Sequence, residues 1–166
     1  MKRIQTWVGI TILAALAVWT FQRAFPSQEE AICRQLSQLA ESASFRPHEG
    51  LLSQAASLAK LRSYFTPDVT VRVNLEQGGS HIFEGRDDLM EAVALVRGKL
   101  SRLQLEFLDT QVDVGPDRLS AAVVLTLRYR LGDDKEQGLQ ELKLALKKIE
   151  GAWKVSRVEN VTALTR

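Results

Sequence analysis

Few residues in this chain combine a reactive type with a spacing that supports chemistry. General acid–base transfer needs a titratable group held near the reacting proton. Asp68, in Pro67-Asp68-Val69, is one candidate acid. At the head of a strand, however, an aspartate more readily accepts backbone N–H groups as a turn or cap. His48 lies in a Pro-His-Glu-Gly loop, and His81 follows Gly78-Gly79-Ser80. Both read as surface histidines. They are far apart and joined by no third histidine, so a structural metal site, which needs about four ligands, has little basis. Glu106, Asp109 and Asp113 fall at mixed parity on one predicted strand, as solvated positions do. Cys33 is the sole cysteine. It is either a small thiol packed on a helix or one half of a bridge to another chain. No nucleophile motif or phosphate loop is present. The expectation is no catalytic, cofactor-binding or metal residue, and a protein that is not an enzyme.

Candidates for binding are clearer. Along 119–131, Ala121, Val123, Leu125, Leu127, Tyr129 and Leu131 alternate with Ala122, Val124, Thr126, Arg128 and Arg130. A half-buried antiparallel strand has this pattern. Tyr129, Trp153, Leu125 and Leu127 could line a pocket for a small hydrophobic ligand, or fill the core beneath the helices; spacing alone does not separate the two. On the other face, Val124, Thr126, Arg128 and Arg130 form a candidate interface, with Lys143, Lys147 and Lys154 on nearby strands. Apolar and β-branched residues rimmed by arginine fit a protein contact, and a solvated face is the alternative.

The elements that must position these residues follow from periodicity. Ser27-Gln28-Glu29-Glu30 reads as a capping box. The helix behind it, Gln28 to Ser44, aligns Ile32, Leu36, Leu39 and Ala43, and ends before Arg46-Pro47. A second helix near Glu49 to Tyr64 takes Leu51, Leu52, Ala55, Leu58 and Leu61 as its apolar face. A third, near Asp87 to Leu100, would bury Leu89, Met90, Val93 and Val96. Strands are expected near 68–75, 81–84, 103–114, 119–131, 139–149 and 153–161. Gln77-Gly78-Gly79-Ser80, Gly115-Pro116-Asp117, Gly132-Asp133-Asp134 and Glu150-Gly151 form the turns between them. Helices first and hairpins later imply an α+β fold with three helices on one face of a curved, mostly antiparallel sheet.

The N-terminus bears on location. Lys2 and Arg3 precede an uncharged apolar run from Trp7 to Phe21, and Pro26 ends it. Counted from Ile4 to Phe25, a helix would reach roughly 33 Å, enough to cross a bilayer core of about 30 Å. Trp7 and Trp19 suit its interfaces, and the basic start would stay cytoplasmic. Residues 1–26 are thus expected to form a single-pass anchor in the inner or plasma membrane, with 27–162 as an extracytoplasmic domain and 163–166 as a short tail. Ala15-Leu16-Ala17 also fits a cleavage site, which would leave a secreted or periplasmic domain. A buried core helix is a third reading. The short basic start and compact apolar run point to a bacterial chain.

The 166 residues carry 22 basic and 20 acidic side chains. Three bases and no acid lie in the first 25, so the remainder is close to neutral. That excludes a general nucleic-acid binder, which needs a basic face.

Three local motifs, in order, resemble the nuclear transport factor 2-like superfamily, which includes the SnoaL-like proteins and ketosteroid isomerases. They are Tyr64-Phe65-Thr66-Pro67-Asp68-Val69, Phe83-Glu84-Gly85-Arg86-Asp87-Asp88-Leu89 and Gly151-Ala152-Trp153-Lys154-Val155. The resemblance covers about residues 28 to 162 and implies a cone-shaped, cystatin-like fold that often encloses an apolar pocket. It transfers a fold and not an activity. In the isomerases a carboxylate base on the first strand matches a position at or beside Val73, where Arg72 and Asn74 are the neighbours. Their helix-borne tyrosine has no match between Gln28 and Ser44. The leading expectation is therefore a membrane-anchored binding or assembly module that acts through its sheet face as a homodimer or with another protein. Its layout resembles inner-membrane components of type IV secretion machines. The alternative is a pocket protein that binds or isomerises a small hydrophobic molecule.

Overall fold

A computed structural model describes residues 27–74, 79–132 and 137–161. The expected anchor at residues 4–25, and the first half of the turn at residues 77–80, lie outside them. Among the described residues, no helix is long and apolar enough to cross a membrane.

Helix α1 spans Gln28–Ala43. Ser27 caps it, its Oγ accepting from the Glu30 N–H at 3.1 Å, and Glu29 and Glu30 suit the positive helix start. Its predicted stripe is real: Ile32, Leu36 and Leu39 are buried. Helix α2 spans Leu51–Ser63, and strand β1 spans Phe65–Asn74. Strand β2 spans Ser80–Glu84, and helix α3 spans Arg86–Lys99. Four long strands follow: β3 (Leu103–Val114), β4 (Ser120–Leu131), β5 (Gly138–Ile149) and β6 (Ala152–Asn160). They form one sheet in the order β2-β1-β6-β5-β4-β3. Only the β1–β6 pair is parallel.

Three expectations need correction. Strand β1 begins at Phe65, not Asp68. Phe65 pairs with Val155, and the register then shifts before Thr70 pairs with Arg157. Pro67, which lacks an N–H, falls inside that irregularity, so a proline that reads as a break sits within a bulged strand. The apolar face assigned to α2 is mostly in solvent: Leu51 and Leu52 are 84% and 89% exposed, and only Leu61 is buried. The helix rests on α1, α3 and β1 and not on the main meander, so periodicity found the stripe but not its partner. Val96 of α3 is also exposed, whereas Leu89 is buried and Met90 and Val93 pack at the edge of the core.

The β5–β6 and β3–β4 hairpins close as their turn residues dictate. Glu150 and Gly151 both take positive φ, 51° and 81°, between the paired Ile149 and Ala152. A two-residue loop of this kind matches the strand twist. In the β3–β4 turn, Asp117 Oδ1 accepts from the Leu119 and Ser120 N–H groups, each at 3.0 Å, and from Ser120 Oγ at 2.8 Å. The Leu119 amide first, then Ser120, holds the Asp117 carboxyl below its usual value. A carboxyl that titrates lower when folded adds stability above its unfolded pKa, about 4, and loses it as pH falls through the folded value. Asp117→Ala should therefore flatten the acid limb of the stability–pH curve below about pH 4 and leave it parallel to wild type near neutrality. Urea midpoints measured across that range check this.

Candidate ligand-binding site

The inward faces of β1, β4, β5 and β6 lose burial toward one end, while on β3 Phe107, Val112 and Val114 are half-buried throughout. On β4, Ala121, Val123 and Leu125 are buried, Leu127 and Tyr129 are half-buried, and Leu131 is exposed. On β5, Leu146 and Leu144 are buried and Leu142 is half-buried; on β6, Trp153 and Val155 give way to Val158 and Asn160. Val69 and Val71 repeat the step on β1. One end of the cone is thus filled by Ile32, Leu36, Leu61, Val69, Leu125, Leu146, Trp153 and Val155. Towards the other end, Val71, Met90, Val93, Phe107, Leu127, Leu142 and Val158 pack against that core yet keep one side open.

The four pocket candidates therefore separate. Leu125 and Trp153, 1% and 3% exposed, belong to the filled end. Leu127 and Tyr129 stand at the open end. Tyr129 pairs with Gly138 across the β4–β5 ladder, and its ring lies over that glycine: a Cβ there would come within 2.1 Å of the ring. Only glycine at 138 lets the phenol lie against the strand. The proposed interface residues do come together. Val124, Thr126, Arg128 and Arg130 share the outward side of β4, all half-buried. Arg128 donates to Glu106, and Lys143 and Glu141 lie opposite Val124 and Thr126.

Polar groups rim the open end. Asn160 Nδ2 donates to the Asn74 carbonyl at 2.9 Å, and Asn160 Oδ1 accepts from the Asn74 N–H at 2.6 Å. Asn74 Nδ2 donates to the Asn160 carbonyl at 3.2 Å. These bonds lock the parallel β1–β6 pair where its ladder ends, and they occupy the side chain next to Val73. Arg97, at the end of α3, donates through Nη2 to the Ser42 carbonyl at 2.9 Å and lies 5.2 Å from the centre of the Phe45 ring. Burial pushes its guanidinium below its usual value, and the Glu49 carboxylate opposes the change. Sequence reading missed Arg97 and Asn160, because both work through contacts distant in the chain. Gly138, at the start of a strand, was the one local signal.

The acids do not converge on this interior. Glu106, Glu141 and Glu159 take outward positions, opposite Arg128, Thr126 and Lys143. Asp68 is exposed, and the Thr66 hydroxyl first among its neighbours holds its carboxyl low. Asp109 sits in the β3 bulge with φ 48°. His81 stacks edge-on with Phe83 on β2, ring centres 4.4 Å apart. Cys33 is a free, half-buried thiol. Among the described residues, no group of His, Cys, Asp and Glu could hold a metal ion.

No protein-family model matches this chain, and no curated protein matches it. Solved structures do. A nuclear transport factor 2-like protein with a cystatin-like fold from Novosphingobium aromaticivorans superimposes with a TM-score of 0.63 at 14% identity, covering 94% of this chain and 91% of its own. A cystatin-like protein of unknown function from Nostoc punctiforme gives 0.59 at 14%, covering 81% and 92%. This is the nuclear transport factor 2-like fold. A provisionally named scytalone dehydratase from N. aromaticivorans shares it, with a TM-score of 0.56 at 16% identity and coverage of 81% and 83%. Three helices on a mixed sheet, as the sequence motifs implied, are thus the architecture of the described residues. Within that fold, the burial gradient from Leu125 to Leu131 separates a filled end from an open one in this chain.

Proposed function

We propose that this domain binds a small apolar molecule in the open half of its cone and performs no chemistry on it. The graded burial of the inward faces carries this reading: Leu127, Phe107, Leu142, Val158 and Val93 offer apolar surface that the protein itself leaves half-covered. Small-molecule sites are concave and mostly apolar, with few polar groups for orientation. The Tyr129 hydroxyl supplies one. Among the described residues, Glu106, Glu141 and Glu159 point outward. His81 on β2, opposite Val73, shares the inward face but is exposed on the edge strand with its ring against Phe83, so a proton-transfer role lacks a buried base. The provisional name of one fold neighbour, scytalone dehydratase, adds support for a small-molecule role. Native mass spectrometry of the gently extracted full-length protein tests the proposal: a reproducible bound mass of small-molecule size is expected, and only apo protein across preparations would sink it.

A second reading rests on the outward face of β4. Ala122 lies opposite Ala145, and Val124 and Thr126 continue this small, apolar centre. Arg128, Lys143, Glu141 and Glu106 surround it with both signs of charge, which a two-fold contact between copies can match. Val124→Glu should convert a dimer to monomer in sedimentation without changing the urea midpoint; an unchanged sedimentation coefficient would remove this interface. The apolar run at residues 7–21 adds the proposal that the domain is tethered to a membrane and faces away from the cytoplasm.

A further inference from the structure

The exposed leucines of α2 are not accounted for by either reading. Leu51 and Leu52 are almost fully in solvent, and Ala55 and Ala59 continue the same stripe, also exposed. Arg97 ties the last turn of α3 to the α1–α2 connection through Ser42, Phe45 and Glu49. Leu95 and Val96, 60% and 42% exposed, therefore share that end of the molecule with the start of α2. Apolar surface gathered in this way marks a docking site.

Charge decides what docks. Arg46, Lys99 and Arg102 are exposed at this end of the molecule, and none makes a salt bridge among the described residues. Arg46, Lys60 and Arg102 line an open cleft of about 1130 Å³ between α1, α2 and the start of β3. Among the described residues, the nearby acids are fewer or occupied. Glu49 is half-buried beside Arg97, Glu106 binds Arg128, and Asp87 binds Arg62, which leaves Glu41 and Glu91. A purely apolar partner would match the leucines and gain nothing from the bases. A surface with an anionic layer over an apolar one matches both.

We propose that the start of α2, with the end of α3 beside it, docks on an anionic lipid surface. Leu51 and Leu52 enter the acyl boundary while Arg46, Lys99 and Arg102 meet the headgroups, as an interfacial amphipathic helix does. The apolar run ends at Phe21, six residues before Ser27, a tether of at most about 20 Å. Ser27 sits beside the β3–β4 turn, at the end of the 16-residue α1 away from this face, so a chain held by that run would seat the docking face by lying along the surface.

The test uses the full-length chain with Cys33→Ser and Leu52→Cys, labelled at the new thiol with an environment-sensitive fluorophore. It is reconstituted into phosphatidylcholine vesicles with or without phosphatidylglycerol. Severalfold brighter emission with phosphatidylglycerol, quenched by spin-labelled lipid and reversed by salt, is expected. Combining Arg46→Gln and Lys99→Gln should weaken this response, at roughly fivefold in partitioning per base removed. The same label at Leu139, exposed on β5, should stay dim throughout. A label at position 52 that stays dim and open to iodide in both membranes overturns the proposal. So does one equally bright without anionic lipid, which would point to a second copy or the chain's own N-terminal run as the cover. Neither result bears on the apolar interior, which the bound-mass measurement reads separately.

Discussion

Trp153→Ala should cost the domain about 3–5 kcal/mol, in the range of large-to-small changes at a closed core position. The indole is 3% exposed at the filled end, among Leu36, Leu125, Leu146 and Val155. Lys148 Nζ lies 5.6 Å from the ring centre and donates to Gln28 Oε1 at 2.8 Å, so the same residue screens the ring from water and ties it to the first turn of α1. The Trp153 carbonyl accepts from Gln35. That bond belongs to the backbone and survives the substitution, so the loss measures the ring. Domains of this size are stable by about 5–15 kcal/mol, which makes the expected loss a large share of the total. Trp153→Phe should cost less. It keeps most of the apolar volume, and it removes an indole N–H that is buried without a partner, a group expensive to leave unbonded. Urea unfolding followed by circular dichroism checks both; tryptophan emission would be confused by Trp7 and Trp19. A loss below about 1 kcal/mol for Trp153→Ala, outside the range for buried aromatic truncation, would mean that this end of the cone is not the packed one.

How far the sequence could be read divides along physical lines. The period-2 alternation of β4 was legible because side-chain direction along a strand is local. The stripe of Ile32, Leu36 and Leu39 was legible for the same reason on a helix. Turns were legible where backbone chemistry requires particular residues, as at Glu150-Gly151. The difference between Leu125 and Leu127 was not. Both have the same parity and the same residue type, and they differ only in how far along the cone they lie. That distance depends on where α1 and α3 cross the sheet, which no short window encodes. The exposed leucines of α2 show the same gap from the opposite side: a correct helix with a correct stripe can still lack a partner. Arg97 was missed because its partners, Ser42, Phe45 and Glu49, lie about fifty residues away. The β1 start was misplaced because its pairing is with β6, the parallel partner at the far end of the chain.

Leu127→Arg should abolish most small-molecule binding and leave the fold intact, and this contrast separates a site from a core. Leu127 points inward on β4, opposite Gln140 on β5 and Phe107 on β3, and it is only half-buried. A guanidinium on its flexible stem can reach water from there, so folding should suffer by no more than about 1 kcal/mol. An apolar ligand seated against that wall would have to desolvate the charge or lose the wall, which is costly either way. A loss of about 2–3 kcal/mol in binding corresponds to roughly 30-fold to more than 100-fold weaker affinity. The ratio of liganded to free protein in native mass spectra reads this directly. Val124→Glu, three residues earlier and on the opposite face of the same strand, provides the internal control. It introduces a charge on β4 but points away from the interior, so it should change self-association and leave the liganded fraction alone. Loss of the bound mass in both variants would indicate a general weakening of β4, and loss in neither would place the ligand elsewhere. Loss in Leu127→Arg alone, with a folding cost of no more than about 1 kcal/mol by urea unfolding, is the outcome that an open cone with a working apolar wall requires.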